Sequence, residues 1–326
     1  MIYLELKRNR KIILLGRAGT GKTSIKKLLF EGVQPDKLLT NPLEPTRGII
    51  SKVYRWLDLN LGVFDTSGQE LPFLLQNPKE QEYNLQNTDS LIYIIDYPRW
   101  TNDYEEICEE IRKIKDILTQ CSIDAKLSVF FHKIDLIPNE FEESINNQLN
   151  MEIKYKLGLS YYLTSLHPQF SYTLYGAFYQ IISGFSQETH HLKIIIDDMI
   201  KDLSETMCFV TNKNNSIVVQ TMTKDFDIKL INDSHNLIAQ LNKSFEEMMY
   251  LEKLGHVIIS SNKSINIILK NLQIKKFNLK NIICISKKLG ANRLILLIGK
   301  IKLIFNQYVF RGSYNLGAKN ENENDH

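Results

Sequence analysis

The sequence predicts a doubly wound, mostly parallel α/β sheet followed by a smaller α+β domain. Three observations carry that expectation. Apolar strand runs and helical stripes alternate through the first half. A glycine-rich loop joins the first strand run to the first helical stripe. Beyond about residue 187 the pattern changes to helices flanking antiparallel hairpins. The expected boundaries are 1–187 and 188–311, with a polar, Asn- and Glu-rich tail at 312–326 that reads as disordered.

In order, Lys11 to Leu15 is a short strand run ending at Gly16, and Ile25, Leu28 and Leu29 sit at helical spacing. Leu59, Leu61 and Val63 alternate as a half-buried strand does, and Leu91 to Ile95 is a buried-strand run ending at Asp96. Tyr104, Ile107, Ile111, Ile114 and Leu118 form a helical stripe before the strand Leu127 to Phe131. Phe141, Ile145, Leu149 and Ile153 form the next stripe, Tyr161 to Leu163 a strand, and Leu174, Phe178, Ile181 and Phe185 a closing helix. Strands separated by helices require right-handed crossovers, and such sheets bind ligands at the carboxyl ends of their strands.

In the second half, a helix (Leu192, Ile196, Met199, Leu203) precedes a hairpin of Met207 to Thr211 and Ser216 to Gln220. A long helix with Ile238, Leu241, Phe245 and Met248 on one face follows. A second hairpin, Val257 to Ser260 and Ser264 to Leu269, turns at Asn262-Lys263, and Ile282 to Ser286 is a fifth strand. Leu294, Leu297, Ile298, Ile301, Phe305 and Tyr308 make the last stripe. No internal repeat is present.

Gly16-Arg-Ala-Gly-Thr-Gly21-Lys22-Thr23 matches GxxxxGK[ST] between a strand and a helix, the context that motif needs. Its glycines let consecutive N–H groups from Ala18 through Ser24 face phosphate oxygens, aided by the positive end of the helix. Lys22 would reach the β- and γ-phosphates and Thr23 would bind Mg²⁺. Asp65-Thr-Ser-Gly68-Gln69 is a DxxGQ turn after a strand. In it Asp65 would hold Mg²⁺ through water, the Gly68 N–H would touch the γ-phosphate, and Gln69 would orient the attacking water as the catalytic residue. Thr46, in Glu44-Pro-Thr-Arg-Gly48, stands where a threonine could bind both Mg²⁺ and the γ-phosphate.

His132-Lys133-Ile-Asp135 follows the strand Leu127 to Phe131. A carboxylate at Asp135 can accept from the guanine N1–H and 2-amino group, a donor pair that adenine lacks. The Lys133 stem can lie along the base. Thr164-Ser165-Leu166 fits a further base-flanking loop, with Ser165 and Leu166 beside the nucleotide. A GTP/GDP ligand with Mg²⁺ follows from these motifs in this order.

With His132 in place of the more usual Asn, the chain resembles the Rag/Gtr GTPases. That family carries HKxD, a DxxGQ turn and a roadblock-type domain after a Ras-like P-loop GTPase domain. Leu159-Ser-Tyr-Tyr-Leu-Thr-Ser165 and Leu43-Glu-Pro-Thr46 look more like the Rag C/D (Gtr2) branch, whereas Asp65-Thr-Ser-Gly68 looks more Ras-like. The resemblance implies a heterodimer with a Rag A/B-type GTPase, joined through the roadblock domains. It also implies GTPase-activating and scaffold proteins as partners. The implied role is to relay amino-acid sufficiency to the target-of-rapamycin kinase complex, in the cytoplasm and peripherally at the lysosome or vacuole.

Composition narrows the field. A net charge of +3, from 40 Lys+Arg and 37 Asp+Glu, is too small to imply nucleic-acid binding. The N-terminal apolar run Ile12 to Leu15 is too short for a signal core, and Leu294 to Phe305 is too short and too charged to insert in a bilayer. Cys108, Cys121, Cys208 and Cys284 form no zinc spacing and are expected as reduced core residues in a cytosolic protein. Trp56 and Trp100 are expected in packing, and His190-His191 is not expected to bind metal. Three alternatives stand beside the switch: a nucleotide-locked scaffold, a monomeric Ras-like GTPase with an unrelated appendage, and an ATP-using kinase. Asp135 disfavours the last, because its carboxylate would face the adenine N1 acceptor.

Overall fold

In the computed structural model, residues 8–41, 43–227, 230, 256–261, 265–274 and 277–321 are described. The chain divides into two compact units, Met1–Ile181 and Ile182–His326. The expected boundary at 187 falls six residues later.

The first unit is built on a six-stranded sheet in the order β2-β3-β1-β4-β5-β6. Its strands are β1 (Arg8–Leu15), β2 (Ile49–Trp56), β3 (Leu59–Thr66), β4 (Ser90–Asp96), β5 (Lys126–His132) and β6 (Ser160–Thr164). All neighbours run parallel except β2, which pairs antiparallel with β3, Ile49 opposite Thr66 and Trp56 opposite Leu59. The central β4 is buried at every residue, whereas β3 alternates, as the Leu59, Leu61, Val63 pattern requires.

β2 has no counterpart among the predicted strands. Six of its eight residues, Ile50 and Val53 among them, are exposed or only partly buried, so no apolar alternation marks it. Helices α1 (Lys22–Glu31), α6 (Tyr104–Gln120), α7 (Glu142–Leu149) and α8 (Ser171–Ile182) match predicted stripes. Four short helices were not signalled by periodicity: α2 (Pro35–Thr40), α3 (Leu71–Gln76), α4 (Pro78–Leu85) and α5 (Tyr97–Asn102). Each carries Pro at its first or second position, the helix-starting signal that short elements retain. The α7 stripe continues through a π-helical stretch, Asn150–Lys156, in which Ile153 is buried, whereas Phe141, in the 3-10 turn Asn139–Phe141 before α7, is exposed and does not join the stripe.

One face of the sheet packs Ile13, Leu15, Tyr93, Ile95, Phe131 and Trp100 against the α6 residues Ile107, Ile111 and Ile114. On the other face Phe30, Tyr54, Trp56 and Phe178 form an aromatic cluster with ring centroids 4.8–5.9 Å apart. Trp56 and Trp100 are thus packing residues, as expected.

The second unit holds a five-stranded antiparallel sheet in the order β8-β7-β11-β10-β9. Its elements are α9 (Gln187–Ile200), β7 (Thr206–Asn212), β8 (Ile217–Met222), β9 (His256–Ser260), β10 (Asn266–Ile274), β11 (Leu279–Ser286) and α10 (Ala291–Glu321). Both hairpins and the fifth strand match the sequence reading. The helix expected around Ile238 to Met248, and the turn Asn262-Lys263, lie outside the described residues. α10 continues beyond Gly312, where a polar tail was expected to begin, and residues 322–326 lie outside the described set. All four cysteines are free thiols. Cys108, Cys208 and Cys284 are buried, but Cys121, just past the end of α6, is exposed and does not fill a core position. No helix among the described residues is long and apolar enough to cross a membrane.

Candidate nucleotide site

The predicted motifs converge at the carboxyl ends of β1, β3, β4, β5 and β6. The loop from Gly16 to Gly21 takes left-handed backbone at Gly16, Gly19 and Gly21. A Cβ on Gly16 would meet the Ile94 carbonyl oxygen, so this crossing beside β4 needs glycine. Gly21 caps α1 with no side-chain hydrogen bond, which leaves the helix N-terminus open to an anion. Thr20 is buried and its hydroxyl donates to the Arg17 carbonyl at 3.0 Å. Lys22 Nζ donates to the carbonyls of Gly16 at 2.7 Å and Arg17 at 2.9 Å. Burial lowers its pKa to about 8, with Asp65 opposing that shift and Arg99 adding to it.

Thr23 and Thr46 lie 2.8 Å apart, hydroxyl to hydroxyl, although 23 residues separate them. The Ser67 N–H donates to Gly48 O at 2.8 Å, tying the Thr46 loop to the DxxGQ turn. Asp65 is fully buried at the end of β3; its Oδ2 is 3.1 Å from Lys26 Nζ, and its Oδ1 has no hydrogen-bond partner among the described residues. A Cβ on Gly68 would collide with the Ala18 backbone, so the turn rests directly on the phosphate loop. Gln69 is exposed, and Ser24 is half-buried at the start of α1.

At the other end, Lys133 adopts left-handed backbone (φ 61°) and its ammonium bridges two elements. It donates to Gly19 O at 2.8 Å and to Asp96 Oδ2 at 2.7 Å. Asp135 Oδ1 accepts from the Ser165 hydroxyl. That hydroxyl also accepts from the His167 N–H at 2.8 Å, and Leu166 is buried beside it. His132 is fully buried, its Nδ1 3.0 Å from Thr164 Oγ1. Its ring lies against Gly21, where a Cβ would approach Cδ2 to 3.0 Å. Burial, and then the neighbouring Lys133 charge, lower its pKa to about 3 and keep the imidazole neutral.

Four residues belong to this site that motif reading did not single out as ligand-facing. Asp96 pairs with Lys133 and caps α5 through the Arg99 N–H at 3.0 Å. Its only sequence signal is an acid directly after a buried strand run. Arg99 Nη2 donates to Ala18 O at 3.2 Å. Lys26 lies one helical turn beyond Lys22. Arg17, in the phosphate loop, points instead to α6 and pairs with Asp103, Glu106 and Glu110 at 2.8–2.9 Å.

The fold is that of a P-loop α/β domain, with the HKxD loop at one end of the candidate site and two hydrogen-bonded loops, around Thr46 and Gly68, at the other. A family model described as the Gtr1/RagA G protein conserved region matches residues 11–265. Ras-related GTP-binding protein A of Dictyostelium discoideum is 25% identical over 197 residues, covering 59% of this chain and 63% of that protein. Ras-related GTP-binding protein C of Mus musculus is 24% identical over 229 residues, covering 67% of this chain and 55% of that protein. GTP-binding protein gtr2 of Schizosaccharomyces pombe is 22% identical over 259 residues, covering 76% and 78%. The chain spans about three-fifths and about half of the length of the first two of these relatives. The chain belongs to the Rag/Gtr family of GTPases. Relatives of both the A and the C/D kinds match at near-equal identity.

Proposed function

We propose that this chain is a guanine-nucleotide switch that binds GTP and GDP with Mg²⁺ and hydrolyses GTP slowly. The observation that carries the reading is a pair of hydrogen bonds at the HKxD loop, Ser165 to Asp135 and Lys133 to the Gly19 carbonyl. They restrain the Asp135 carboxylate and tie its loop to the Gly16–Gly21 loop, which supports a base site there. Asp135 accepts from guanine, Lys133 flanks the base, and Ser165 and Leu166 close it. His132 supports the loop by packing against Gly21. N–H groups from Ala18 to Ser24, with the Lys22 ammonium, hold the phosphates.

The hydroxyls of Thr23 and Thr46 and the partnerless Asp65 Oδ1 are hard oxygen donors that fit Mg²⁺, with Asp65 acting through water. When bound, the ion neutralises charge on the β- and γ-phosphates. Thr46 and Gly68 hold the γ-phosphate end, and Gln69 orients the attacking water. Loss of the γ-phosphate frees both loops together, because Ser67 and Gly48 join them.

The second unit, with α9 and α10 packed on its antiparallel sheet and against each other, supports a roadblock-like dimerisation domain. In this reading the chain pairs with a Rag A/B-type GTPase, which fits the C/D likeness of its Leu43–Thr46 and Leu159–Ser165 segments. The heterodimer meets GTPase-activating and scaffold proteins at the lysosome or vacuole surface and relays amino-acid sufficiency to the target-of-rapamycin complex.

The test is titration with GTP, GDP and ATP in Mg²⁺, for the wild type and Asp135→Ala. Strong guanine preference, lost by about 100-fold on removing two charge-assisted hydrogen bonds, is the expected result. ATP binding as tight as GTP, or indifference to Asp135→Ala, would refute the reading. Co-expression with a Rag A/B-type chain, followed by sedimentation, tests the pairing; a protein that stays monomeric favours an unrelated appendage instead.

A further inference from the structure

Lys26, the ion-pair partner of Asp65, has no part in the phosphate chemistry above. α1 places Lys22 and Lys26 four residues apart, on one face and both almost fully buried. Lys22 turns to the carbonyls of the phosphate loop, whereas Lys26 reaches across to β3 and meets Asp65 Oδ2 at 3.1 Å. Asp65 is fully inaccessible, so its charge needs a partner in the absence of any ligand. Lys26 is the one cation that ion-pairs with it among the described residues. The second oxygen, Oδ1, stays without a partner. The same carboxylate thus has one oxygen held by a built-in monovalent cation and one that no described residue satisfies.

We propose that Lys26 is a positioning residue acting as a tethered counter-ion at the metal seat. It fixes Asp65 and pairs its charge when Mg²⁺ is absent, and it opposes Mg²⁺ when the ion binds. This rests on the guanine-nucleotide reading. Two consequences follow from the charges. A fixed positive charge within one carboxylate of a divalent ion weakens that ion's binding. Departure of the ion also leaves no uncompensated buried carboxylate. The nucleotide complex therefore needs more Mg²⁺ to be retained than it would if residue 26 were neutral.

The experiment measures dissociation of fluorescent (methylanthraniloyl) GDP from the full-length protein across a series of buffered free-Mg²⁺ concentrations. Wild type is compared with Lys26→Met, Lys26→Gln and Lys26→Arg. The Gln variant keeps a hydrogen-bond donor for Asp65 in case the Met variant does not fold. The Mg²⁺ concentration giving half-maximal retention should fall about tenfold in the neutral variants, the scale of one unit charge screened nearly as in water. It should stay at the wild-type value in Lys26→Arg.

A midpoint unchanged in both neutral variants, or moved to higher Mg²⁺, would overturn the proposal, because a purely structural lysine predicts one of those two outcomes. Failure of folded wild type to retain the nucleotide at any Mg²⁺ concentration would overturn the nucleotide reading itself and this inference with it. That outcome is distinct from an unmoved midpoint.

Discussion

The Thr23 and Thr46 hydroxyls meet at 2.8 Å, joining the first turn of α1 to the loop before β2. This contact links a fixed helix to a segment whose neighbours, Glu44, Pro45 and Arg47, are exposed. If both hydroxyls face one metal ion and the terminal phosphate, their roles separate by nucleotide. Thr46→Ala should weaken GTP by about tenfold, the loss of one charge-assisted contact, and leave GDP unchanged. Thr23→Ala should weaken both. Equilibrium titration with fluorescent GDP and a non-hydrolysable GTP analogue reads this, and equal loss for both ligands in Thr46→Ala would contradict it.

Ser165→Ala tests how Asp135 is aimed. Its hydroxyl donates to Asp135 and accepts from His167, so removal frees the carboxylate to rotate. Guanine affinity should fall about tenfold while preference over adenine persists, since the carboxylate remains. Loss of the preference itself would assign base recognition to Ser165 rather than to Asp135.

His132 sets an acid limit on the fold. Its pKa stands near 3 in the folded protein against an ordinary 6.5, so between those values the unfolded chain binds a proton that the folded chain does not. The stability this neutral histidine allows is fully present above pH 6.5 and is lost as pH falls toward 3. The loss is a few kcal/mol, at about 1.4 kcal/mol per pKa unit. His132→Asn, which cannot titrate, should unfold at lower pH relative to its own neutral-pH stability. Chemical denaturation across pH 4 to 7 measures the slope; equal slopes in the two proteins would show that His132 is not the titrating group.

Arg17 is excluded from transition-state duty by its own partners. Burial works against its charge, but hydrogen bonds to Glu110 and Glu106 hold its pKa above the ordinary value. The guanidinium is spent on α6. Single-turnover hydrolysis by the isolated chain should be on the order of 10⁻⁴ s⁻¹, the scale of Ras-type enzymes without an arginine supplied by a partner. Arg17→Ala should leave that rate within about twofold while lowering thermal stability. A large drop in rate with unchanged stability would reverse the assignment, and Arg99, beside Ala18, supplies the comparison variant.

The central sheet and the order of motifs were legible because buried parallel strands write continuous apolar runs, as Leu91 to Ile95 does, and because phosphate and base loops demand fixed residue types. β2 was not legible, since an exposed antiparallel edge leaves no hydrophobic pattern in Ile49–Trp56. Asp96, Arg99 and Lys26 were missed for a different reason. Their roles depend on side chains meeting across 37, 81 and 39 residues of sequence, and no local spacing encodes such meetings. The orientation of Arg17 likewise needs α6 in place. A lysine four residues after the P-loop lysine was visible in the sequence, but only the fold shows that it faces Asp65.

The bridge from Lys133 to Gly19 and Asp96 has a consequence for how nucleotide leaves. Three segments distant in sequence are clasped at the base end, and the His132 ring wedges against Gly21 beside them. Among the described residues, the Thr46 loop is held by one pair of hydroxyls and one backbone hydrogen bond. If guanine nucleotide binds as proposed, the Thr46 loop is therefore expected to open before the clasped base end. An exchange factor for such a switch would then act at residues 43–48 rather than on the base loop.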